Sequence, residues 1–373
     1  MKKKISIYVR NKKITPSSYY RIIQYSVFFD GDIKIRENSP SKIYKKQLNS
    51  QSLNFFRRIL VGVFYYIILV VRTSFSLCKD LIWKPDYVIV SKSFCPKHTP
   101  AFLNFLIKKL VETTTVYWDY DDNIFLNKEI SKKQAKILMK YSNKIIVTND
   151  FLKGFIDDKY KDKVILMPTT DGDLQGFNST ELKKSRKSAL KKEVRIVWVG
   201  TSSNLKNFDL IINELEKVAE LVQEKYKKRT ILTIVCNAKL IKKTNFLEIR
   251  NIEWDREVSK KEIYAAHIGI MPLIQNNYSL GKGGFKLVQY ISTGLPVVGS
   301  GVGYNNEVID LNCGYIVDDN LTSIHWIDAI LKIIESPLIW ETYSDAAYSR
   351  WKQKFSFETN LLSWKELLSR NEV

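Results

Sequence analysis

Cysteine is scarce in this sequence. Four cysteines occur among 373 residues, at positions 78, 95, 236 and 313, and no two of them form a Cys-x-x-Cys pair. Neither a zinc site nor a disulfide framework is therefore predicted, and the pattern fits a reducing compartment. The amino-terminal MKKKISIYVR alternates as a strand does and lacks an apolar core followed by a cleavage site. We therefore expect no signal peptide.

Nucleic-acid-binding signals are missing as well. The chain contains no helix-turn-helix, zinc-finger spacing or aromatic RNA-binding motif. Its formal net charge is nevertheless +20, which implies a polyanionic partner, namely nucleic acid, an anionic bilayer or a phosphorylated substrate. With nucleic acid not supported, an anionic bilayer or a phosphorylated substrate is the expected partner.

One apolar run is too short to cross a membrane. Residues 55–77 contain the uninterrupted stretch ILVGVFYYIILVV, below the roughly 20 residues that a spanning helix needs. Arg57, Arg58 and Arg72 flank this stretch. The pattern favours a helix lying in an anionic membrane interface, with the arginines on lipid phosphate. A core helix of the first domain is the alternative, and both can hold for different faces of one helix.

Strands and helices alternate along the chain, which predicts an α/β architecture with parallel sheets. The predicted strands of the first half are KISIYV, DYVIVS, TTVYWDY, KIIVTN and KVILMP. A second series runs from VRIVWVG to GYIVDD, and the polar residues 171–193 are predicted to connect the two. With 45% hydrophobic residues the chain can bury two cores. We expect domains at 1–175 and 190–350, followed by a closing helix at 351–373.

The segment Gly281–Asn306, GKGGFKLVQYISTGLPVVGSGVGYNN, predicts an anion-binding helix start followed by a buried strand. Gly283 and Gly284 let the backbone approach a ligand closely and direct N–H groups at it. Lys286 stands in the first turn of the predicted helix, where the helix dipole disfavours a cation unless a diphosphate is bound nearby. The alternative is a solvated helix with a glycine-rich entry.

Three polar residues of this segment follow a helical spacing. Lys282, Lys286 and Gln289 stand at i, i+4 and i+7, which would place two ammonium groups and an amide on one helical face. That face is a candidate binding surface for a diphosphate.

A second candidate anion site follows the predicted strand VRIVWV. Gly200, Thr201 and Ser202 begin this loop, and LKNFDLIINELEKVAELV is predicted to form the next helix. The hydroxyl and N–H groups of the loop can form an anion-binding nest or a plain helix cap.

The first half has a basic candidate at the carboxyl end of its first strand, the edge where open α/β sheets bind ligands. Ser18, Tyr19 and Arg21 lie there, and the guanidinium of Arg21 can clamp a phosphate with two hydrogen bonds. The alternative for Arg21 is an ordinary residue on a surface helix.

The first half also has an acidic candidate. Asp119, Asp121 and Asp122 end another strand at the same edge, where three carboxylates suggest a magnesium site or a contact to an acceptor. We favour the acceptor or a structural role, and expect no metal.

The segment Gly281–Asn306 resembles the donor-binding segment of family-four glycosyltransferases, the retaining GT-B group, in which a small residue, Gly, any residue, Pro and a hydrophobic pair follow the helix, as Thr293–Val298 do here. Members with the "GFKLIQYMAAGLPVV" style are the most similar. The segments PSSYYRIIQY, VYWDYDDNIF, KIIVTNDFL, VRIVWVGTSSNL and HIGIMPL occur in the order seen in that family. Many members carry two glutamates eight positions apart, and the corresponding residues here are Gly281 and Gln289. A glutamine can still bind ribose hydroxyls as donor and acceptor.

The resemblance implies a GT-B fold, in which two Rossmann-like domains with parallel sheets face a cleft. It implies a nucleotide diphosphate sugar as donor and no cofactor. Lys286 and Arg21 are the basic candidates for catalysis, and the resemblance offers His98 the role of the family's histidine near the donor sugar. Glu307 fits the family's glutamate after the glycine loop, where it touches the donor or fixes the loop.

The sequence therefore predicts a retaining glycosyltransferase that elongates a lipid-linked bacterial glycan. Together with residues 55–77, the resemblance suggests a peripheral enzyme on the cytoplasmic face of the cell membrane. Two alternatives stay open, a GT-B nucleotide-sugar epimerase and a noncatalytic protein that binds nucleotide sugars.

Overall fold

The computed structural model describes residues 2–95, 98–174, 180–317 and 324–369. The chain forms two compact units. Unit 1 comprises Met1–Thr169 with Asn360–Val373, and unit 2 comprises Thr170–Thr359.

Unit 1 is built on a six-stranded parallel sheet with the strand order β2-β1-β3-β4-β5-β6. The strands are β1 (Lys4–Val9), β2 (Asp32–Glu37), β3 (Tyr87–Ser91), β4 (Thr115–Tyr120), β5 (Lys144–Val147) and β6 (Val164–Leu166). The α-helices are α1 (Pro16–Ser18), α2 (Gln24–Ser26), α3 (Ser41–Leu48), α4 (Phe55–Trp83), α5 (Ala101–Val111), α6 (Lys132–Tyr141) and α7 (Asp150–Lys153). Edge strand β2 was not predicted, because its segment DIKIRE is charged and has no buried residue.

The apolar spacing of PSSYYRIIQYSVFF predicts a single helix after β1, but the helix that forms there is shorter and irregular. A π-helical turn at Tyr19–Ile23 joins α1 to α2. Such turns are rare, and they are frequent at functional sites. Likewise, FLKGFIDDKY forms only the single turn of α7 before a 3-10 helix at Asp158–Lys163.

Helix α4 is longer than the apolar segment recognised in the sequence. Asn54 caps its start by accepting a hydrogen bond from the Arg57 N–H at 3.0 Å, and Lys84 ends it in a left-handed conformation with φ 52°. Leu69, Thr73 and Leu77 are buried against unit 1. The helix is long and apolar enough to cross a membrane, and only 11% of its most apolar stretch is buried. One face of α4 is therefore core, and much of the rest is exposed.

Unit 2 is built on a second six-stranded parallel sheet, with the strand order β12-β11-β10-β7-β8-β9. The strands are β7 (Glu193–Val199), β8 (Arg229–Cys236), β9 (Leu247–Glu253), β10 (Ile268–Met271), β11 (Val297–Ser300) and β12 (Gly314–Val317). The α-helices are α8 (Thr180–Leu190), α9 (Ile212–Tyr226), α10 (Arg256–Ala265), α11 (Asn277–Leu280), α12 (Phe285–Ser292), α13 (Asn305–Val308), α14 (Ile324–Ile334) and α15 (Pro337–Lys354). Helix α16 (Phe357–Ser369) runs from unit 2 into unit 1.

The polar segment 171–193 does not form a simple connection. Its helix α8 belongs to unit 2, and Arg186 of this helix is buried. The guanidinium donates to the carbonyls of Ile263, Tyr264 and Thr293 at 2.7–3.0 Å. Burial lowers the pKa of Arg186 to about 9. The sequence did not predict this role because the lysines around Arg186 mask the apolar periodicity of the helix.

Strand order decides where unit 2 can bind a ligand. Strand β7 lies inside the sheet between β10 and β8, and the chain winds outward from β7 in one direction and from β10 in the other. In open parallel sheets of this type, ligands bind beyond the carboxyl ends of the strands at such a switch point. The loops after β7 and β10 therefore form the candidate ligand site of unit 2.

Candidate functional site

Two loops meet at the switch point of unit 2. After β7, Gly200 leads into a 3-10 helix at Ser202–Leu210, in place of the start of the predicted α-helix. After β10, the chain passes through α11 to Lys282, whose Nζ lies 2.5 Å from Asn204 Oδ1. The hydrogen bond joins segments 78 residues apart in the sequence. An ammonium group is thus held at the carboxyl edge of the sheet, where the strand order places a ligand.

Lys282 lies outside the helix that was predicted to contain it. Helix α12 begins at Phe285, so Lys282 belongs to the preceding loop and does not share a helical face with Lys286 and Gln289. The sequence spacing was misleading because the Gly283–Gly284 pair interrupts the helical path. The lysine still reaches the same site, through the loop.

Lys286 points toward the end of β7. Its Nζ lies 5.3 Å from the ring centroid of Trp198, a favourable cation–π distance. A Cβ at Gly200 would lie 3.1 Å from Lys286 Cε and 2.4 Å from the Trp198 ring. Gly200 is therefore required for space, and any larger residue would displace the lysine or the indole.

The loop after β7 does not form the predicted anion nest from its first amides. The N–H groups of Gly200, Ser202 and Asn204 donate to Val235, Asn237 and Thr201 respectively, at 2.9–3.0 Å. The groups of this loop that a ligand can reach are instead the hydroxyls of Thr201 and Ser203. Thr201 and Ser203 are exposed, and their hydroxyl oxygens lie 3.2 Å apart.

Gly284 shapes the start of α12. Its φ of +59° is left-handed, and a Cβ there would lie 3.1–3.2 Å from Val308 and Tyr304. The residue is also the N-cap, so the helix begins without a side-chain cap. First-turn amides of a helix have no intrahelical partner and carry the positive end of the dipole. The predicted anion-binding character of Gly283–Gly284 is therefore consistent with the local geometry.

Gln289 has a protein partner. Its Nε2 donates to Asp171 Oδ2 at 2.8 Å. Burial raises the pKa of Asp171, and the bond from Gln289 opposes that rise. The ribose contact predicted for Gln289 would therefore involve its carbonyl oxygen, since its amide nitrogen is already used. Asp171 was missed by the sequence analysis because it stood in a segment assigned as a connection.

The loop around Glu307 is held by other residues. Asn305 Nδ2 donates to the Ser300 carbonyl at 3.0 Å, and the Ser300 hydroxyl accepts from the Leu273 N–H at 3.0 Å. The Glu307 side chain is exposed, and its backbone carbonyl accepts from Arg350 at 2.7 Å. Two roles were predicted for Glu307. The side chains that hold the loop are those of Asn305 and Ser300. A contact of Glu307 with the donor stays a prediction.

In unit 1, Arg21 does not form an exposed phosphate clamp. It is 2% exposed and binds Asp119 through Nε and Nη2, at 2.5–3.1 Å. Its Nη1 donates to the Met167 carbonyl at 2.7 Å and lies 3.2 Å from the Thr169 hydroxyl. Burial would lower the pKa of Arg21, but Asp119 outweighs it and raises that pKa. Arg21 and Asp119 are therefore a structural pair, which corrects the predictions of a catalytic Arg21 and an acceptor-side Asp119.

The other two acidic residues surround Lys92, which the sequence analysis missed. Lys92 Nζ lies 2.8 Å from Asp122 and 3.3 Å from Asp121, with Glu129 at 3.9 Å. Lys92 has a left-handed φ of 63°, a strained state that clusters at functional sites. Burial would lower the pKa of Lys92, but these carboxylates raise it well above its usual value. A lysine already occupies the position where a cation would sit, which argues against the magnesium alternative.

Ser18 and Tyr19 lie beside the π-helical turn. Ser18 is buried, which removes it as a direct acceptor contact, and Tyr19 is half-buried. The neighbouring Ser17 side chain hydrogen-bonds Asp121 and helps to lower the pKa of that carboxyl against the effect of burial. In the described ranges, no group of three or more His, Cys, Asp or Glu side chains is arranged to hold a metal ion.

His98 and His267 differ in their surroundings. His98 is exposed, and its carbonyl accepts from the Tyr66 hydroxyl at 2.7 Å, so its role near a donor sugar stays a prediction. His267 is fully buried, with Nδ1 2.9 Å from the Arg195 N and Nε2 3.0 Å from the Arg186 carbonyl. Burial lowers the pKa of His267 to about 3.

Known proteins share the fold of this chain. Residues 193–336 match the family model of group 1 glycosyl transferases, while no curated protein matches the chain significantly in sequence. A glycosyltransferase from Rickettsia africae ESF-5 is similar in structure, with a TM-score of 0.64 and 14% identity, covering 99% of this chain and 100% of that one. Alr3699/HepE of Anabaena, in complex with UDP and glucose, has a TM-score of 0.63 and 11% identity, covering 98% and 99%. The chain has the GT-B fold.

Two residues of this GT-B chain, Tyr290 and Gly269, position the site at the switch point of unit 2, and neither was identified from the sequence. The Tyr290 hydroxyl accepts a hydrogen bond from the N–H of Val199 at the end of β7. Gly269 of β10 makes room for the Tyr290 ring, since a Cβ there would lie 2.3 Å from it. The apolar character of both segments predicted burial, but only the packed structure shows that they align α12 with the sheet.

Proposed function

We propose that this protein is a glycosyltransferase that takes its sugar from a nucleotide diphosphate sugar. The observation that carries the proposal is the convergence of Lys282, Asn204 and Lys286 at the switch point of unit 2. Two ammonium groups beside the start of α12, where the helix dipole is positive, suit a diphosphate, which carries the charge that both features favour. The match of residues 193–336 to the group 1 glycosyl transferase model supports the same assignment.

The chemistry proposed for this site is transfer with retention of configuration. The acceptor oxygen forms a bond to the anomeric carbon on the face from which the diphosphate leaves, and the bond from that carbon to the phosphate oxygen breaks. The acceptor proton passes to the departing diphosphate, so no protein nucleophile is needed. The protein contributes position and stabilisation of the developing negative charge, which we assign to Lys286 and the start of α12.

The nucleotide of the donor is the first property to test. Alr3699/HepE is described in complex with UDP-glucose, and the catalytic domain of Arabidopsis thaliana starch synthase IV is bound to ADP. The starch synthase has a TM-score of 0.55 and 12% identity, covering 82% of this chain and 77% of that one. Uridine and adenosine diphosphates are therefore the leading candidates in a panel that also contains guanosine and thymidine diphosphates.

The proposed acceptor is a growing bacterial glycan attached to a lipid at the cytoplasmic face of the membrane. The exposed apolar part of α4 supports this proposal, because a peripheral enzyme meets a lipid-linked acceptor at the membrane surface. Transfer to a water-soluble acceptor with no effect of added membrane would argue against it.

Thermal unfolding with the nucleotide panel tests donor binding. A nucleotide present at about 100 times its dissociation constant is expected to add about 2.7 kcal/mol to the free energy of unfolding. The Lys206→Ala variant serves as a control and should be stabilised by the nucleotide as much as the wild type, because Lys206 is an exposed lysine in the same loop region. No stabilisation by any nucleotide diphosphate would overturn the proposal.

Turnover then separates the alternatives. A transferase consumes the nucleotide sugar only when an acceptor is present, and product nuclear magnetic resonance reports the anomeric configuration. A GT-B epimerase converts the nucleotide sugar without an acceptor. A noncatalytic binding protein is stabilised by the nucleotide but consumes nothing, an outcome made plausible by Gly281 and Gln289 in place of the family's glutamates.

A further inference from the structure

A cleft of about 310 Å³ lies between edge strand β2 and helix α4 in unit 1. Arg36 and Glu37 of the strand contribute to its lining, together with Arg72 and Lys79 of the helix. Two apolar side chains of α4, Val71 and Phe75, complete the helix side and are 60% and 62% exposed. The cleft thus combines basic groups with exposed apolar surface.

The two charges contributed by β2 are already paired. Arg36 binds the buried carboxylate of Asp80, which also accepts a hydrogen bond from the Tyr8 hydroxyl at 2.7 Å. Glu37 turns away toward Lys12, whose backbone N–H donates to its carboxylate at 2.8 Å. The strand side of the cleft is therefore close to electrically neutral.

The two charges contributed by α4 are differently placed. Arg72 Nε donates to the Glu37 carbonyl at 3.1 Å, and Lys79 Nζ lies 4.2 Å from the Phe75 ring centroid. Both side chains are exposed, and within the described residues neither forms an ion pair. At a spacing of seven residues they stand on one face of the helix. A net positive charge therefore faces the cleft.

Apolar side chains lead along α4 into the cleft. Exposed residues recur every four positions, at Phe55, Ile59, Val63, Ile67, Val71 and Phe75. Because an α-helix has about 3.6 residues per turn, this row turns by about 40° per step, and its last three members share one side of the helix. The last two of these line the cleft itself. An apolar stripe that ends at two cations matches a lipid, whose acyl chain continues into a charged phosphate.

The sequence around this stripe contains no acidic residue for a long stretch. Between Glu37 and Asp80 there is no aspartate or glutamate, while seven lysines and arginines occur there. They are Lys42, Lys45, Lys46, Arg57, Arg58, Arg72 and Lys79. This charge is complementary to an anionic bilayer surface, which attracts clustered basic residues.

Sheet topology rules out a spanning orientation of the folded unit. Strand β1 precedes α4 and pairs with β3, which follows it, from Ile5–Tyr87 to Tyr8–Val90. A helix that crossed the bilayer would place these two strands on opposite sides. Helix α4 can therefore meet a bilayer only from one side, by lying in its surface.

We propose that the cleft between β2 and α4 binds the phosphate of an anionic phospholipid, while the apolar stripe of α4 enters the interface of the same bilayer. Arg72 and Lys79 hold the phosphate, and Val71 and Phe75 contact the adjoining acyl region. Long basic side chains can keep their charge at headgroup level while their stems lie on apolar surface. The bound phosphate fixes the depth at which unit 1 meets the membrane.

Vesicle flotation of the full chain tests the site. Vesicles of phosphatidylcholine are compared with vesicles that also contain phosphatidylglycerol, and binding is expected only with the anionic lipid. The double variant Arg72→Gln with Lys79→Gln should weaken that binding about 25-fold, or about fivefold for each basic residue. Its matched control is Lys239→Gln with Lys243→Gln, which removes the same charge from exposed positions in unit 2 and should leave binding unchanged.

A second measurement locates the contact. Cys78 is exposed on α4, whereas Cys95, Cys236 and Cys313 are buried, so Cys78 can carry a polarity-sensitive fluorophore. Its emission should shift to the blue with anionic vesicles. The double variant Val71→Ser with Phe75→Ser should reduce both the shift and the flotation, while circular dichroism shows an intact fold.

Three outcomes would overturn the proposal. If the control variant in unit 2 loses as much vesicle binding as the Arg72→Gln, Lys79→Gln variant, the net charge of the protein alone determines binding. Displacement from vesicles by inorganic phosphate at constant ionic strength would mean that the cleft takes free phosphate. Absence of both flotation and an emission shift would mean that this face does not meet a membrane. None of these measurements uses a nucleotide sugar, so their failure is distinguishable from failure of the proposed function.

Discussion

The hydroxyl of Tyr290 accepts a hydrogen bond from the backbone N–H of Val199 at 3.0 Å. Val199 ends β7, and Tyr290 lies in α12, so the bond fixes the helix against the end of the central strand. Both residues are buried. Because Lys286 stands in the first turn of the same helix, this bond also determines where its ammonium group lies.

Replacing Tyr290 by phenylalanine is expected to destabilise the protein. The substitution keeps the ring and removes the acceptor, leaving the buried N–H of Val199 without a partner, which costs about 1–3 kcal/mol. Denaturant unfolding measures the change. Tyr226→Phe is the control, since the ring of Tyr226 is half-buried and its hydroxyl has no hydrogen-bond partner among the described residues. Equal stability of the two variants would contradict the assignment.

Lys286→Ala is expected to slow sugar transfer about a hundredfold or more while the protein stays folded. The ammonium group is assigned to the departing diphosphate, and loss of one group that stabilises developing charge has an effect of this size. Single-turnover rates measure it, and thermal unfolding checks the fold. The exposed Lys206→Ala variant should retain wild-type rates. A Lys286→Ala enzyme with normal turnover would place this lysine outside the reaction.

Gln289→Glu is expected to destabilise unit 2, although glutamate is the residue that the resembling family carries there. A second carboxylate would replace the amide that now donates to Asp171 at 2.8 Å, and two like charges would meet in a buried place. The expected cost is about 1–3 kcal/mol. Adding Asp171→Asn to the variant should restore stability, because it removes one of the charges. If Gln289→Glu alone is as stable as the wild type, the two side chains do not form this contact in solution.

Stability is expected to fall in mild acid because of His267, whose pKa burial lowers to about 3. The unfolded chain has an imidazole pKa of about 6.5, so between these values it binds a proton that the folded chain does not. The free energy of unfolding therefore decreases as the pH falls, by about 2 kcal/mol from about pH 7 to about pH 5. His267→Gln cannot titrate and should show a flatter dependence over the same range. Parallel pH profiles for the two proteins would refute the prediction.

Local patterns in the sequence predicted several elements well. The segments KISIYV, VRIVWVG and LPVVGS form parallel strands, and FKLVQYIS forms α12. The alternation of short apolar strands with helices predicted the α/β class, which the two parallel sheets confirm. Such predictions succeed because strand and helix periodicities arise from neighbouring residues.

The partners of the polar residues could be decided only by the tertiary structure. The guanidinium of Arg21 is chemically suited to clamp a phosphate, yet in the structure it binds Asp119, which is 98 residues away, and both residues are buried. Lys282 reaches the site through Asn204 and not along a helical face. Strand order determines such contacts, and crossovers between strands are not encoded in local periodicity.

The sequence by itself determined that this protein is an α/β chain with a basic, glycine-rich helix start and an apolar, arginine-flanked segment. Tertiary structure decided which of these features face solvent. Helix α4 buries Leu69 and Leu77 against the sheet while its stripe from Phe55 to Phe75 stays outside. The reason is physical: hydrophobic residues predict burial in general, but packing against the other elements decides which of them are covered.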